Sequence, residues 1–250
     1  MRTPSALSPF FTLVAFDALD STNDEAKRRA ATAAPEGTLV WALAQSTGHG
    51  RRGRQWVSPR GNLYLSLVLR PQCRIAEAAQ FGFAAALAVA EACAGFVAAD
   101  AALRCKWPND VLLDGRKIAG ILLESAADAR GGVDWLVLGI GVNLATHPEG
   151  VEFPATSLAA AGATVTPEAM LVPLAERLQA WYAAWREQGF AALRAAWLAR
   201  AHGLGAPIRV RLATEELNGR FAGLDETGML LLDGEGGRRH IAAAEIFPAA

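Results

Sequence analysis

The amino-acid sequence predicts an α+β fold, a mixed domain of sheet and helix followed by a small β-barrel-like module, and three observations lead there. Short apolar runs at 38–44 (TLVWALA), 62–69 (NLYLSLVL) and 133–142 (VDWLVLGIGV) have the length and content of buried strands. Between them, residues 81–99 form an alanine-rich apolar run long enough for a core helix. Near the end, Ile208, Val210 and Leu212 alternate with Arg209 and Arg211, and Gly219, Gly223, Gly228 and Gly234 punctuate short apolar runs, which reads as a compact all-β module.

The remaining elements follow in order. Ser21 with Asp24, and Thr22 with Glu25, have capping-box spacing, so a helix is expected from there to about Ala33. After the alanine-rich helix, 103–106 reads as a short strand, and 111–113 and 117–124 flank the turn pair Asp114-Gly115 as a hairpin. Thr166-Pro167 opens a helical region in which Leu171, Leu174, Leu178, Trp181 and Trp185 recur at helical spacing; Pro173 should kink it or mark its true start. His202 to Gly205 reads as a linker, so the expected division is 1–202 and 203–250.

Composition bounds the function. The 250 residues are 52% hydrophobic, enough for a substantial core, and 24 basic against 25 acidic residues leave a net charge of −1. No whole-molecule field is available to hold DNA or an anionic membrane. Cys73, Cys93 and Cys105 form no C-x-x-C pair and are odd in number, so neither a disulfide framework nor a thiol metal site is indicated, and a cytoplasmic location is expected. The first twenty residues do not read as a signal peptide. The 81–99 run carries Glu91 and is mostly alanine, which favours a buried helix over a membrane span.

Three stretches carry chemistry. In 45–61, QSTGHGRRGRQWVSPRG, Gly48, Gly50 and Gly53 lie among Arg51, Arg52 and Arg54. Glycine lets backbone N–H groups approach an anion, and guanidinium forks suit phosphate and carboxylate, although a solvated basic loop or an RNA-binding segment has the same composition. Lys117 stands in an apolar strand downstream of Lys106-Trp107-Pro108-Asn109-Asp110; it either snorkels to the surface or points into a pocket where an anion offsets its desolvation. Asn143 ends a Gly-Ile-Gly-Val strand and either suits a purine edge or terminates a turn. Ser21-Thr22-Asn23 is open to simple N-capping as well. There is no G-x-x-x-x-G-K-[ST], G-x-S-x-G or H-E-x-x-H, and His49, His147, His202 and His240 show no ligand spacing.

Taken in order, STN (21–23), GHGRRGRQW (48–56), KWPNDV (106–111), RKIAGILLE (116–124) and GIGVN (139–143) resemble the biotin protein ligases. The resemblance covers nearly the whole chain. It implies a class II synthetase-like central mixed sheet flanked by helices, with an SH3-like β-barrel at the C-terminus, and ATP-dependent activation of biotin followed by transfer to a lysine of a biotin carboxyl carrier domain. It also implies roles. Ser21, Thr22, Asn23 and Gln45 would hold the ring end of biotin, with His49, Gly50 and Arg51 closing over it and Lys117 near its carboxylate. Gly48, Arg52, Gly53, Arg54, Lys106 and Asn109 would serve the nucleotide, with Trp56 and Asn143 bordering adenine and Asp110 a candidate Mg²⁺ contact; Lys117 and Arg51 would carry catalysis.

Two departures stand out. His49 occupies a place where the family loop often has arginine, and the twenty residues before Ser21 are too few for the winged helix with which some members bind operator DNA. No repressor function is therefore expected, and a homodimer is compatible with the sequence. A ligase for lipoate or another acyl acid, and a nucleic-acid module using the basic loop, are the competing readings.

Overall fold

The computed structural model describes residues 7–248, so part of the expected leader-free N-terminus lies outside the described residues. Its order is β1 (Thr12–Phe16), α1 (Thr22–Ala31), β2 (Thr38–Ala42), β3 (Leu63–Leu69), α2 (Gln80–Ala94), β4 (Leu103–Lys106), β5 (Asp110–Leu113), β6 (Arg116–Ala127) and β7 (Val133–Val142). Then come α3 (Pro167–Gln188), α4 (Phe190–Ala199), β8 (Pro207–Arg211), β9 (Glu216–Leu224), β10 (Leu230–Gly234), β11 (Gly237–Ile241) and β12 (Glu245–Pro248). The first seven strands form one mixed sheet in the order β1-β2-β3-β7-β6-β5-β4, with β1 and β2 parallel and the remaining pairs antiparallel.

Alternation along the strands explains the layers. Side chains two apart share a sheet face, so Val40, Val68 and Val137 meet Ala26 and Ala30 of α1 on one side. Leu39, Trp41, Leu67, Leu69, Leu136 and Leu138 point to the other, where α2 and α3 cover them and α4 packs in turn on both helices. Covered on both faces, the central strands read as continuous apolar runs. Helix α2 is apolar all round and almost entirely buried, with Glu91 accepting a hydrogen bond from Trp181 Nε1 at 3.2 Å. The segment Ile75–Ala94 is apolar enough to cross a membrane by composition, yet 72% of it lies inside the fold, as expected for a core helix.

Three features differ from expectation. β1 was not foreseen: TLVAF is a half-exposed edge strand, and its pairing partner β2 is set by tertiary contact rather than by a pattern of its own. α4 was also missed, although Phe190, Leu193 and Trp197 bury at helical spacing after Gly189 ends α3 at φ +68°. Pro173 does not start α3, which begins at Pro167 under the Thr166 cap and runs through it.

The final five strands make an antiparallel sheet in the order β11-β10-β9-β8-β12 around Val210, Phe221, Leu224, Leu230, Leu232 and Ile246. The expected linker is bonded at both ends: His202 N donates to Cys105 O, and Gly205 N to Phe221 O. Trp107 Nε1 donates to Gly228 O at 3.2 Å, and Arg194 donates to Leu224 O, which ties this sheet to the larger one.

Candidate active site

Ser21 caps α1, its Oγ accepting from Asp24 N, and thereby aims Thr22 and Asn23 at the open end of β3 and β7. Thr22 donates to Gln45 Oε1 from both its backbone N (2.7 Å) and its hydroxyl (3.1 Å), while Gln45 Nε2 donates to Ser58 Oγ at 2.9 Å. Ser66 donates to Asn23 Oδ1 at 2.5 Å, and Asn23 Nδ2 donates to Glu124 Oε2 at 2.9 Å, which sets the amide one way round. Lys27 neutralises Glu124 at 2.7 Å. At its centre this half of the site, Ser21, Thr22, Asn23 and Ser66, is uncharged and buried.

The glycines of β7 make room for it. A Cβ on Gly139 would stand 1.9 Å from Asn23 Oδ1, and one on Gly141 would stand 2.5 Å from Trp56 Nε1, an indole nitrogen that is buried without a hydrogen-bond partner. Gly139→Ala should therefore push Asn23 out of its bonds to Ser66 and Glu124 and lower the unfolding free energy by about 1–3 kcal/mol, the usual cost of overpacking. Urea unfolding of the variant beside the parent measures this, and an unchanged midpoint would refute it.

The other half is cationic. Gly50 N donates to Arg54 O at 2.7 Å and Trp56 N to Gly48 O at 2.8 Å, folding 48–56 back on itself, with Arg52 in the left-handed region at φ +58°. Arg51 donates to Asn109 Oδ1 at 3.2 Å; burial, and then the charge of Arg52, pull its pKa below the usual arginine range. Arg54 pairs with Glu245, and Arg52 lies 4.0 Å from the same carboxylate. Asp110 is flanked by Lys117 Nζ at 2.6 Å and Lys106 Nζ at 3.9 Å, although no donor is aligned on its Oδ1. Lys117 thus turns into the site, 5.4 Å from the Trp56 ring.

Lys106 is buried, with its ammonium 3.9 Å over Phe153 and 5.7 Å from Phe247. Desolvation pulls its pKa down to about 8; Lys117 and Arg54 push the same way, against Asp110 and Glu152. His202 also faces it, and its own pKa is lowered by burial and by the Lys106 charge. An anion bound beside Lys106 restores its preference for the charged form, so binding a polyphosphate at pH 8 to 9 should take up protons, and affinity should fall as pH rises above about 8. Free folding shows the opposite sign: the unfolded chain holds the Lys106 proton up to its higher ordinary pKa, so this group adds stability as pH rises from about 8 toward 10.5. Calorimetric titration with ATP in two buffers of different ionisation enthalpy checks the uptake; equal heats would exclude it.

All of the site residues expected from sequence line one cavity of about 390 Å³ except Gly48 and Gly53 of the loop. Asn143 lines it too, with its side-chain nitrogen spent on Thr156 O at 3.0 Å, so the residue also fastens the 155–158 segment that runs beside β6. His49 Nδ1 donates to Thr47 O at 3.1 Å, and the ring stands 3.8 Å from Asp24. Sequence reasoning missed Ser66, Glu124, Phe153, Glu245 and Phe247. Ser66 could have been found as the one serine in the apolar run 62–69; the others carry no local signal. Among the described residues no three acidic, histidine or cysteine side chains cluster as a metal site. Asp110, expected as a candidate Mg²⁺ contact, stands between the Lys117 and Lys106 ammonium groups.

Fold and site together define a protein that takes a small anionic ligand into a pocket with a neutral hydrogen-bonding end and a cationic end. Residues 15–143 match the biotin/lipoate A/B protein ligase family, and 203–247 match the biotin protein ligase C-terminal domain. The chain is 46% identical over 236 residues to the biotin--[acetyl-CoA-carboxylase] ligase of Paracoccus denitrificans, covering 91% of this chain and 97% of that one. It is 35% identical to the bifunctional ligase/repressor BirA of Bacillus subtilis, covering 94% of this chain and 73% of that one. In structure it resembles the biotin protein ligase from Aquifex aeolicus in complex with biotin and ATP, with a TM-score of 0.79, 28% identity, and coverage of 94% and 97%. The chain belongs to the biotin/lipoate A/B protein ligase family, on its biotin protein ligase branch.

Proposed function

We propose that this protein activates biotin with ATP to biotinyl-5′-AMP and transfers the biotinyl group to one lysine of a biotin carboxyl carrier domain. The observation that carries the reading is the junction, in one cavity, of the neutral Thr22–Gln45–Asn23 network with the cations Lys117, Lys106 and Arg51. Biotin has the same division: a ureido ring that donates and accepts hydrogen bonds, joined by an apolar chain to a carboxylate. Lipoate has no ureido group, so the fixed amides and hydroxyls favour biotin.

In the first half-reaction a carboxylate oxygen attacks the α-phosphorus, the bond to the bridging oxygen breaks, and pyrophosphate leaves with the electron pair. Two anions must approach in line, and Lys117 and Arg51 offset their repulsion. Preorganised donors of this kind are each worth about 3–4 kcal/mol of barrier. Magnesium, when carried in on the phosphates, adds charge neutralisation. In the second half-reaction a neutral lysine amine attacks the acyl carbon, the C–O bond to AMP breaks, and the amide nitrogen loses its proton to solvent. The 48–56 loop keeps water from the mixed anhydride between the two steps. The reading includes no operator-binding role, for which a net charge of −1 supplies no field, and the free cysteines fit a reducing cytoplasm.

The test is incubation with biotin, ATP, Mg²⁺ and a carrier domain, with mass spectrometry for a single biotinyl addition on one lysine, alongside biotin- and lipoate-dependent exchange of pyrophosphate into ATP. Exchange with lipoate and not biotin would move the reading to the other branch of the family.

A further inference from the structure

The C-terminal sheet reaches the site through its edge strand. In β12, alternation sends Ile246 into the module's own core and Glu245 and Phe247 to the opposite face. That face is largely covered: the Glu245 side chain is 16% exposed, and both residues line the cavity. Glu245 stands opposite Arg211 in the β8–β12 register, 3.8 Å from its guanidinium, and touches Arg54 and Arg52 from the loop. Arg211 has Glu152 at 2.6 Å and Glu216 at 3.1 Å as further partners. For Arg52 and Arg54, Glu245 is the one carboxylate met among the described residues.

We propose that Glu245 is a positioning residue that holds Arg52 and Arg54 at the nucleotide end of the pocket, so that the C-terminal module completes the active site. Three arginines within four residues repel one another, and long side chains lose rotamer freedom when they bind. A largely covered carboxylate offsets the first effect and removes part of the second before ligand arrives. It occupies one edge of a guanidinium that has five donors, leaving the rest for a polyphosphate. Phe247, from the same strand, borders Lys106. This rests on the reading of the site as a biotin and ATP site, and the experiment separates the two.

Biotin-dependent pyrophosphate exchange is measured for the parent, Glu245→Gln, Arg54→Ala and the double variant, with ATP binding followed independently by equilibrium dialysis. If the parent shows no such exchange, the functional reading fails first. With an active parent, Glu245→Gln should raise KM and Kd for ATP about tenfold and leave KM for biotin within about twofold. Because Glu245 acts through the arginines, the defects of Glu245→Gln and Arg54→Ala should combine less than multiplicatively in the double variant, the remainder being the contact to Arg52, which a purely structural role would not produce. Arg211→Ala, which removes the ion pairs to Glu152, Glu216 and, at 3.8 Å, Glu245 but leaves that carboxylate on Arg52 and Arg54, controls for a bracing role and should leave ATP affinity within about twofold of the parent. An unchanged or lowered KM for ATP in Glu245→Gln, strict additivity in the double variant, or an equal defect in Arg211→Ala would each overturn the proposal.

Discussion

Lys117→Ala slows biotin-dependent pyrophosphate exchange by roughly a hundred- to a thousandfold, the cost of removing one preorganised donor from the developing charge. The variant keeps its fold. Lys117 is on β6, where its backbone N donates to Pro154 O and its carbonyl accepts from Thr156 N, and these bonds survive the substitution. Asp110 loses its nearer cation and keeps Lys106 at 3.9 Å. Exchange within a few-fold of the parent, in a variant with parental unfolding, would mean that the ammonium beside Asp110 serves only that ion pair. Lys117→Arg is the informative companion: it keeps the charge but moves it along a longer, planar side chain, so it should recover substrate binding more fully than turnover.

Arg51→Gly should still form the adenylate and then fail to keep it. The substitution removes the hydrogen bond to Asn109 Oδ1 and a partly buried charge at the centre of the loop. It also adds a residue that costs more entropy to order. Both changes favour the open loop, and a loss of about 3 kcal/mol corresponds to more than a hundredfold weaker retention of the intermediate. The released anhydride then acylates lysines without selection. Dissociation of biotinyl-adenylate, read with labelling of a bystander protein, tests this. Release as slow as that of the parent, with no bystander labelling, would restrict the loop arginines to the chemical step.

Much of the candidate site is legible in the chain because its residues come in short, contiguous runs whose spacing does the positioning. Ser21-Thr22-Asn23 occupies one helix start, so the cap that begins α1 also aims the two residues after it. Gly139 and Gly141 alternate on β7 with Ile140, so both bare positions fall on one face of the sheet, where Asn23 and Trp56 take up the space. Lys106 and Asp110 face each other because the turn between β4 and β5 pairs them. Less legible were β1, a half-exposed edge strand that takes its place from β2, and Pro173, which local rules read as a boundary and which burial of Met170, Leu171 and Leu174 overrides.

By itself, then, the sequence determined most of the strands, the principal helices and the glycine-rich basic loop, since each of these depends on periodicity or on neighbours within a few residues, and the ordered motifs, through the family they resemble, pointed to many of the side chains that line the cavity. Tertiary structure decided which lysine partners which carboxylate, that Ser66 and Glu124 orient Asn23 from strands over forty residues away, and that Glu245 of the last strand meets the loop arginines. Those contacts join residues 43, 101 and 191 positions apart. Their physical cause is the packing of α1 on the first sheet and of the edge strand β12 against the 48–56 loop, and a single chain read in order carries no local signal for it.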